Sequence, residues 1–194
     1  MPYRENSLRE LARTQGFQFS AEDDFGLHRY LEDFRLANRG RRRTISNVLR
    51  RQTDLLEHDA FLFDYSYQDY GSKHCTRQTV FFVQSRHMTL PGLRLQPETL
   101  AHKLGELFGY DDIDFVRFPK FSKQYRLTGD DEEYIRHHFT EDVLNYFTLN
   151  KGWSVEGIGY YLVVYKKGML LPPKEALHLF DRGLTVCRLF SAAP

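Results

Sequence analysis

The sequence predicts an α+β fold built from antiparallel sheet segments with packed helices, and three observations carry that reading. Residues 60–90, AFLFDYSYQDYGSKHCTRQTVFFVQSRHMTL, hold two aromatic, β-prone runs separated by a polar, glycine-containing turn region, the pattern of a hairpin. WSVEGIGYYLVVYKKG at 153–168 repeats that pattern, with GIG between two runs rich in aromatic and β-branched residues. Between and beyond these stretches the apolar residues recur at helical spacing, most clearly in the segment opened by Pro172 and Pro173.

Taken in chain order, Leu8, Leu11 and Ala12 share one face of a short amphipathic helix over 5–15, with Asn6 or Ser7 as N-cap and Gly16 as the C′ residue. Residues 21–36 place Leu27, Tyr30, Leu31 and Phe34 at helical spacing behind an acidic first turn, which suits the helix dipole and predicts a second helix. From Arg43 the period changes to two. RTISNVLRRQ, LLEHDAFLFDYSYQ and RQTVFFVQSR read as three strands of a meander over 43–86, with Glu57 to Asp59 as the break between the first two. In the middle strand Phe61, Phe63, Tyr65 and Tyr67 alternate with Leu62, Asp64 and Ser66, so the aromatic face is expected to be the core. Asp64 then needs a donor or a cation to offset its desolvation.

LPGLRLQPET reads as a turn, and Pro97, Glu98 and Thr99 start a helix through Leu107 that Gly109 ends. DIDFVRF and FSKQYRL are predicted strands on either side of Pro119, within 113–127. Two helices follow in GDDEEYIRHHFTEDVLNYF, the second capped by Thr140 and closed near Asn150. After the hairpin near 152–167, a C-terminal helix carries Ala176, Leu177, Leu179, Phe180, Leu184, Val186 and Leu189. The expected organisation is one compact domain over 1–194, or two closely packed lobes dividing near residues 95 and 96.

The bulk composition excludes several classes. With 16 Phe and 12 Tyr among 194 residues, the chain is too rich in core-forming side chains to remain disordered. Its 27 basic and 26 acidic residues nearly cancel, so no global field draws it to nucleic acid or anionic lipid, and any electrostatic partner must be met locally. Cys75 and Cys187 form no CxxC pair, which suits a reducing compartment and predicts a cytoplasmic setting. No window approaches the roughly 20 apolar residues that span a bilayer, so membrane association is expected only through a partner.

Local chemistry is sparse. Arg39, Arg41, Arg42 and Arg43, followed by Arg50 and Arg51, form the strongest candidate for holding phosphates, set against a solvated strand entry. Gly157 and Gly159 precede a strand rather than a helix, so they read as a turn and not as a phosphate loop. Asp111, Asp112 and Asp114, and Asp130, Asp131, Glu132 and Glu133, are carboxylate clusters without EF-hand spacing, explained as well by turns and helix starts. His74 beside Cys75, and His137 beside His138, lack further zinc ligands at recognisable spacing. No catalytic residues, metal site or cofactor are expected from motifs of this kind.

Asn47-Val48-Leu49, FDYSY at 63–67, QTV at 78–80, LPGLRLQPE at 90–98, DIDF at 112–115, PKFSKQYRLTG at 119–129 and WSVEGIG at 153–159 occur in an order that resembles a family of uncharacterised bacterial proteins, a domain of unknown function. The resemblance spans nearly the whole chain from about residue 8, and the combination of FDYxY, QTV, DIDF, FSxxYxLxG and WxxEGxG is what makes it specific. It implies a fold and no mechanism. The resemblance implies N-terminal membrane helices before this domain in some similar proteins, and this sequence is expected to start at the soluble part. Arg50 and Arg51 stand where a glycine is expected after NVL, and DFRLANRG replaces a shorter LFxxG entry.

The polar positions within these motifs, Asp64, Gln78, Asp112, Asp114, Ser122, Tyr125 and Glu156, are the candidate shared site; the competing reading makes them partners of buried backbone and strand-end groups. The leading functional expectation is therefore a non-catalytic protein-interaction or scaffold module. The alternatives are an enzyme or cation-binding protein using Asp64, Asp112, Asp114 and Glu156, and a nucleic-acid binder using the arginine stretch.

Overall fold

The structure of the protein, a computed structural model, describes residues 2–53, 58–71, 73–98 and 112–191. The chain opens with helix α1 (Pro2–Gln15), which ends at Gly16 with φ 71°, a left-handed turn that costs glycine no Cβ clash. Strand β1 (Gln18–Ser20) follows, and then helix α2 (Leu27–Leu31), far shorter than the helix expected over 21–36. Two features cut it down. Gly26 is left-handed (φ 72°), and the Asp23 carboxylate accepts the Leu27 and His28 N–H groups at 2.8 and 3.0 Å, so helix geometry starts only there. Beyond Leu31 the chain unwinds, and Phe34, Leu36 and Ala37 are pressed onto the sheet.

The expected meander is present as β2 (Arg41–Thr53), β3 (His58–Gln68) and β4 (Cys75–Ser85), paired antiparallel. Its first strand is irregular between Ser46 and Leu49, where Asn47 takes φ 52°. Asparagine tolerates that region better than most side chains, and the bulge turns its amide toward Asp64. Residues 90–97, expected to be a turn, form strand β5 (Leu90–Pro97). Pro91 sits at the irregular start of the ladder and Pro97 at its end, the two places where a missing N–H is tolerated, so Leu93 and Leu95 can be buried between neighbours.

The two strands expected within 113–127 are also corrected. Pro119 occupies the first turn of a helix, α3 (Pro119–Gln124), its fixed φ suiting that position, and only β6 (Tyr125–Gly129) is a strand. The helix expected from Pro97 through Leu107 falls largely outside the described residues. Helix α4 (Glu132–His138) is capped by Asp131, which accepts the Tyr134 N–H at 2.9 Å; α5 (Glu141–Leu149) has Thr140 at the cap position without a side-chain cap bond. The second hairpin is β7 (Ser154–Gly159) and β8 (Tyr161–Tyr165), turning at Gly159, and the chain closes with α6 (Pro173–Ser191).

The eight strands among the described residues belong to one sheet in the order β1-β2-β3-β4-β8-β7-β5-β6, every pairing antiparallel. The later strands β8 and β7 sit between β4 and β5, so both halves of the chain share the sheet. The sheet is apolar on both faces, not on the aromatic face alone. Leu49, Leu62, Phe81, Val83, Leu95, Leu127, Val155 and Val164 pack beneath α1 and α6 and the helices between, as one cluster. Phe61, Phe63, Tyr65, Tyr67, Val80, Phe82, Val163 and Tyr165 face the cover formed by residues 27–37.

Helix α6 crosses the first face at close range. A Cβ on Gly183 would meet three ring atoms of Phe81 at distances no packed carbon pair adopts, and Phe81 is itself locked edge-on against Phe180. Gly183→Ala is therefore expected to lower the melting temperature, with an overpacking cost of about 1–3 kcal/mol exceeding a helix-propensity gain of about 1 kcal/mol. Thermal unfolding monitored by circular dichroism measures this, and an unchanged or raised melting point would contradict the close packing.

Candidate functional site

The seven polar positions that the sequence motifs single out are spread over the fold, and all but Asp114 use their side chains to bond other segments. Asp64 is buried on the helix-covered face and accepts Arg4 Nε and Nη2, both at 2.7 Å, and Asn47 Nδ2 at 2.9 Å. Arg4 also donates to the Leu171 carbonyl at 2.6 Å and to Thr79 Oγ1 at 3.2 Å, and Thr79 Oγ1 accepts the Leu171 N–H at 2.9 Å. One carboxylate thus ties α1, β2, β3, β4 and the approach to α6 together.

Gln78 is on the opposite face of β4, where its Oε1 accepts the Gly168 N–H at 2.9 Å and fixes the turn after β8; its Nε2 and the Tyr65 hydroxyl opposite it are buried without a hydrogen-bond partner among the described residues. Asp112 accepts the Leu127 N–H at 2.9 Å while Ile113 donates to the Leu127 carbonyl at 2.8 Å, which closes the outer edge of β6 against further pairing. The Asp112 residue is surface-exposed, yet its carboxyl leans on that edge, and burial there pushes its pKa up. Exposed Asp114 lends its backbone carbonyl to Arg136. Ser122 Oγ accepts the Phe115 N–H at 2.9 Å, and the Tyr125 hydroxyl donates to the Asn150 carbonyl at 3.0 Å.

Glu156 is buried on the cover side of β7, where Tyr165 Oη donates to Oε1 at 2.8 Å and the Leu36 N–H to Oε2 at 3.2 Å. Asp64 and Glu156 therefore lie on opposite faces of the sheet, and Asp112 with Asp114 lies beyond its β6 edge. The acids required together for cation or acid–base chemistry are not brought together, and no group of three or more metal-ligating His, Cys, Asp or Glu side chains occurs among the described residues.

The arginine stretch is divided by the fold. Arg50 pairs with Asp59 in a two-bond arrangement (2.9 and 2.7 Å) over the Phe25 and Phe61 rings, and Arg51 donates to the Gln15 carbonyl and stacks 3.8 Å from the Phe17 centroid. Arg43 donates to the Ala37 carbonyl. Arg41 and Arg42 are exposed, while Arg39 lies close enough to Arg94 to repel its charge. His138 is buried and bonds the Tyr134 carbonyl at 2.9 Å, and His74 with Cys75 is at the surface.

What the motif reading missed is a groove. Following the cover-side face across the strand order, the inward residues change from Phe, Tyr and Val on β3, β4 and β8 to Glu156 and Ile158 on β7, Arg94 and Gln96 on β5, and Arg126 and Thr128 on β6. The cover stops where that change occurs. Its end, Asp33 to Arg35, forms one wall of a cavity of about 300 Å³ whose floor is these residues, all polar but Ile158, and whose far rim is Asp130. Arg94 and Arg126 received no attention in the sequence because cross-strand proximity, not local spacing, makes them neighbours.

No family model matches the sequence, and no curated protein matches it. Among solved structures the chain is similar to the crystal structure of a mycobacterial protein, the trehalose monomycolate transport factor A, TtfA, with a TM-score of 0.64 over 96% of this chain and 92% of that one, at 12% identity. At that identity the likeness is one of fold. No described helix is long and apolar enough to cross a membrane.

Two measurements check the site assignments. Asp64→Ala leaves the half-buried Arg4 without its counter-ion and is expected to cost up to about 3–5 kcal/mol of stability, read from denaturant unfolding; a loss under about 1 kcal/mol, as for exposed ion pairs, would contradict the junction. Burial pushes the Cys187 thiol up to about 11, whereas Cys75 is exposed, so at pH 8 the native protein should release one equivalent from a disulfide reagent rapidly and the second only on unfolding.

Proposed function

We propose that the chain is a non-catalytic interaction module that recognises a protein partner through the open half of its cover-side sheet face. The observation that carries this is the change of polarity along one continuous face: apolar where residues 27–37 lie on it, polar and arginine-rich where they end. A face that merely sealed a core would stay apolar, while one that met water alone would not hold a half-buried arginine in a cavity.

The scaffold roles of Asp64, Gln78, Asp112, Ser122, Tyr125 and Glu156 support the same reading, because residues engaged in fastening strands and helices are not available for turnover. Membership of the bacterial family whose motifs the sequence resembles belongs to this proposal, since its motif residues are the ones found at these junctions. That a protein with this fold is a transport factor favours an accessory role over catalysis. A cytoplasmic setting with membrane association through the partner completes the proposal, in keeping with two cysteines that form no disulfide with each other.

The test is site-specific photo-crosslinking in cells. A photoreactive residue at Ile158 or Thr128, both lining the groove, is expected to give a discrete protein adduct that Arg94→Glu abolishes, and one at exposed Leu149 is expected to give none. Absence of an adduct from both groove positions, or an adduct indifferent to Arg94→Glu, would overturn the assignment.

A further inference from the structure

A second cavity, of about 510 Å³, opens on the other side of residues 27–37 from the groove, between that cover and strands β2 and β3. Its volume is that of a small-ligand pocket. Leu31 and Ala37 on the cover and Ile45 on β2 give it apolar walls. The charged groups around it nearly cancel. Asp23 is already engaged, since its carboxylate accepts the Leu27 and His28 N–H groups and bonds the His28 ring at 3.0 Å. That leaves one anion and one cation on different walls, Glu32 on the cover and Arg43 on β2. Arg43 gives one N–H to the Ala37 carbonyl, and neither residue has an ion pair within 4 Å among the described residues.

Tyr65 lines the same cavity from β3. It is buried, and its hydroxyl has no hydrogen-bond partner among the described residues. Burial pushes its pKa up to about 12 and the Arg43 charge opposes that, which puts the guanidinium within electrostatic reach of the phenol. The phenol therefore stays neutral and keeps a proton to donate. Gln78, paired with Tyr65 across the strands, carries a second buried donor without a partner, Nε2. Buried polar groups left unpaired are rare and costly, and two donors side by side call for an acceptor oxygen.

We propose that this cavity binds a zwitterionic ligand with an apolar body, an amino acid or a short peptide, whose carboxylate meets Arg43 and the Tyr65 hydroxyl and whose ammonium meets Glu32. One guanidinium offers the paired donors that a single carboxylate needs, and the phenol adds a neutral donor beside it. A ligand with only a negative charge would bring it toward Glu32 uncompensated, and one with only a positive charge would do the same toward Arg43. Both charges together match the walls. The apolar side chain is held between Leu31, Ala37 and Ile45, where its burial supplies the nonpolar part of the affinity. The site goes beyond the interaction reading and does not rest on it, because residues 27–37 separate it from the groove.

The test titrates the full chain with leucine and with the leucyl-leucine dipeptide, and with two half-ligands at matched ionic strength, 4-methylpentanoate without the ammonium and 3-methylbutylamine without the carboxylate, by calorimetry and by amide chemical shifts. Leucine or the dipeptide should bind and perturb Leu31, Ile45 and Tyr65, and each half-ligand should bind about tenfold or more weakly, as loss of a charge-assisted bond does. Tyr65→Phe should weaken binding to a similar extent while leaving the melting temperature unchanged or raised, because it removes a buried hydroxyl that has no partner. Glu32→Gln should also weaken binding, whereas Arg94→Gln, in the groove, should not. Arg43→Gln is expected to do the same as Glu32→Gln; if loss of its bond to Ala37 unfolds the cover, exposed Glu32 decides. Tighter binding of the dipeptide assigns the site to peptide ends, and tighter binding of leucine assigns it to a free amino acid.

Absence of binding by either zwitterion at millimolar concentration, half-ligands that bind as well as the whole, or binding indifferent to both Tyr65→Phe and Glu32→Gln would each overturn the site. A melting temperature lowered by Tyr65→Phe with binding unchanged would do so as well, since the hydroxyl would then serve the fold. Partner crosslinking through the groove is unaffected by any of these results, so the two readings fail separately.

Discussion

A part-buried ion pair between Arg4 and Asp64 joins residues 60 positions apart, and the arrangement of the helix-covered face depends on it. Two charges removed from water stabilise a fold only when their remaining hydrogen-bonding capacity is met. Here it is met by groups from other elements: Asn47 from a bulge, Thr79 from β4 and the Leu171 carbonyl from the approach to α6. The left-handed conformation at Asn47 belongs to the same junction, since the bulge that requires it brings the amide to the carboxylate. Sequence position, local geometry and long-range packing agree at one point.

The other face is organised by what covers it. Residues 27–37 are too few to span eight strands, and the chain places its aromatic residues where the cover reaches and its arginines where it does not. Glu156 stands at the boundary. Its carboxylate fastens the cover through the Leu36 N–H and the sheet through Tyr165, so the edge of the groove is held rigidly and Arg94 is left beside it. The β2–β4 meander does not produce this surface; the insertion of β5 between β7 and β6 does, by placing Arg94 opposite Glu156 and Gln96 opposite Arg126.

Much of the fold was legible where signals are local. Alternation marked β2 to β4 and the β7–β8 hairpin, and a helical period with Gly16 or Pro173 at its end marked α1 and α6. The misread segments are those where tertiary contacts override local preference. Pro91, Gly92 and Pro97 punctuate β5 like a turn, yet neighbours on both sides hold it extended. Pro119 starts a helix within a stretch whose aromatic content suggests strands, and Gly26 with Asp23 delays a helix that periodicity places earlier. The burial of both sheet faces could not be read from β3, because Leu62 and Asp64 reveal their cover only once α1 is docked. The motif acids stood out in the sequence by their apolar surroundings, and Asp64, Asp112 and Glu156 are found bonded to groups of other elements. The groove was illegible for a different reason: Arg94 and Arg126 are ordinary surface-type residues until the strand order makes them neighbours.

The central claim, that the polar motif positions fasten the scaffold, is tested most directly by a double-mutant cycle on Arg4→Ala and Asp64→Ala, with stability measured by denaturant unfolding. A part-buried, cooperatively bonded pair predicts a coupling of about 1–3 kcal/mol, the double variant losing clearly less than the two single losses added together. Additive losses, with coupling near zero, would contradict the account and return Asp64 to the pool of residues available for chemistry.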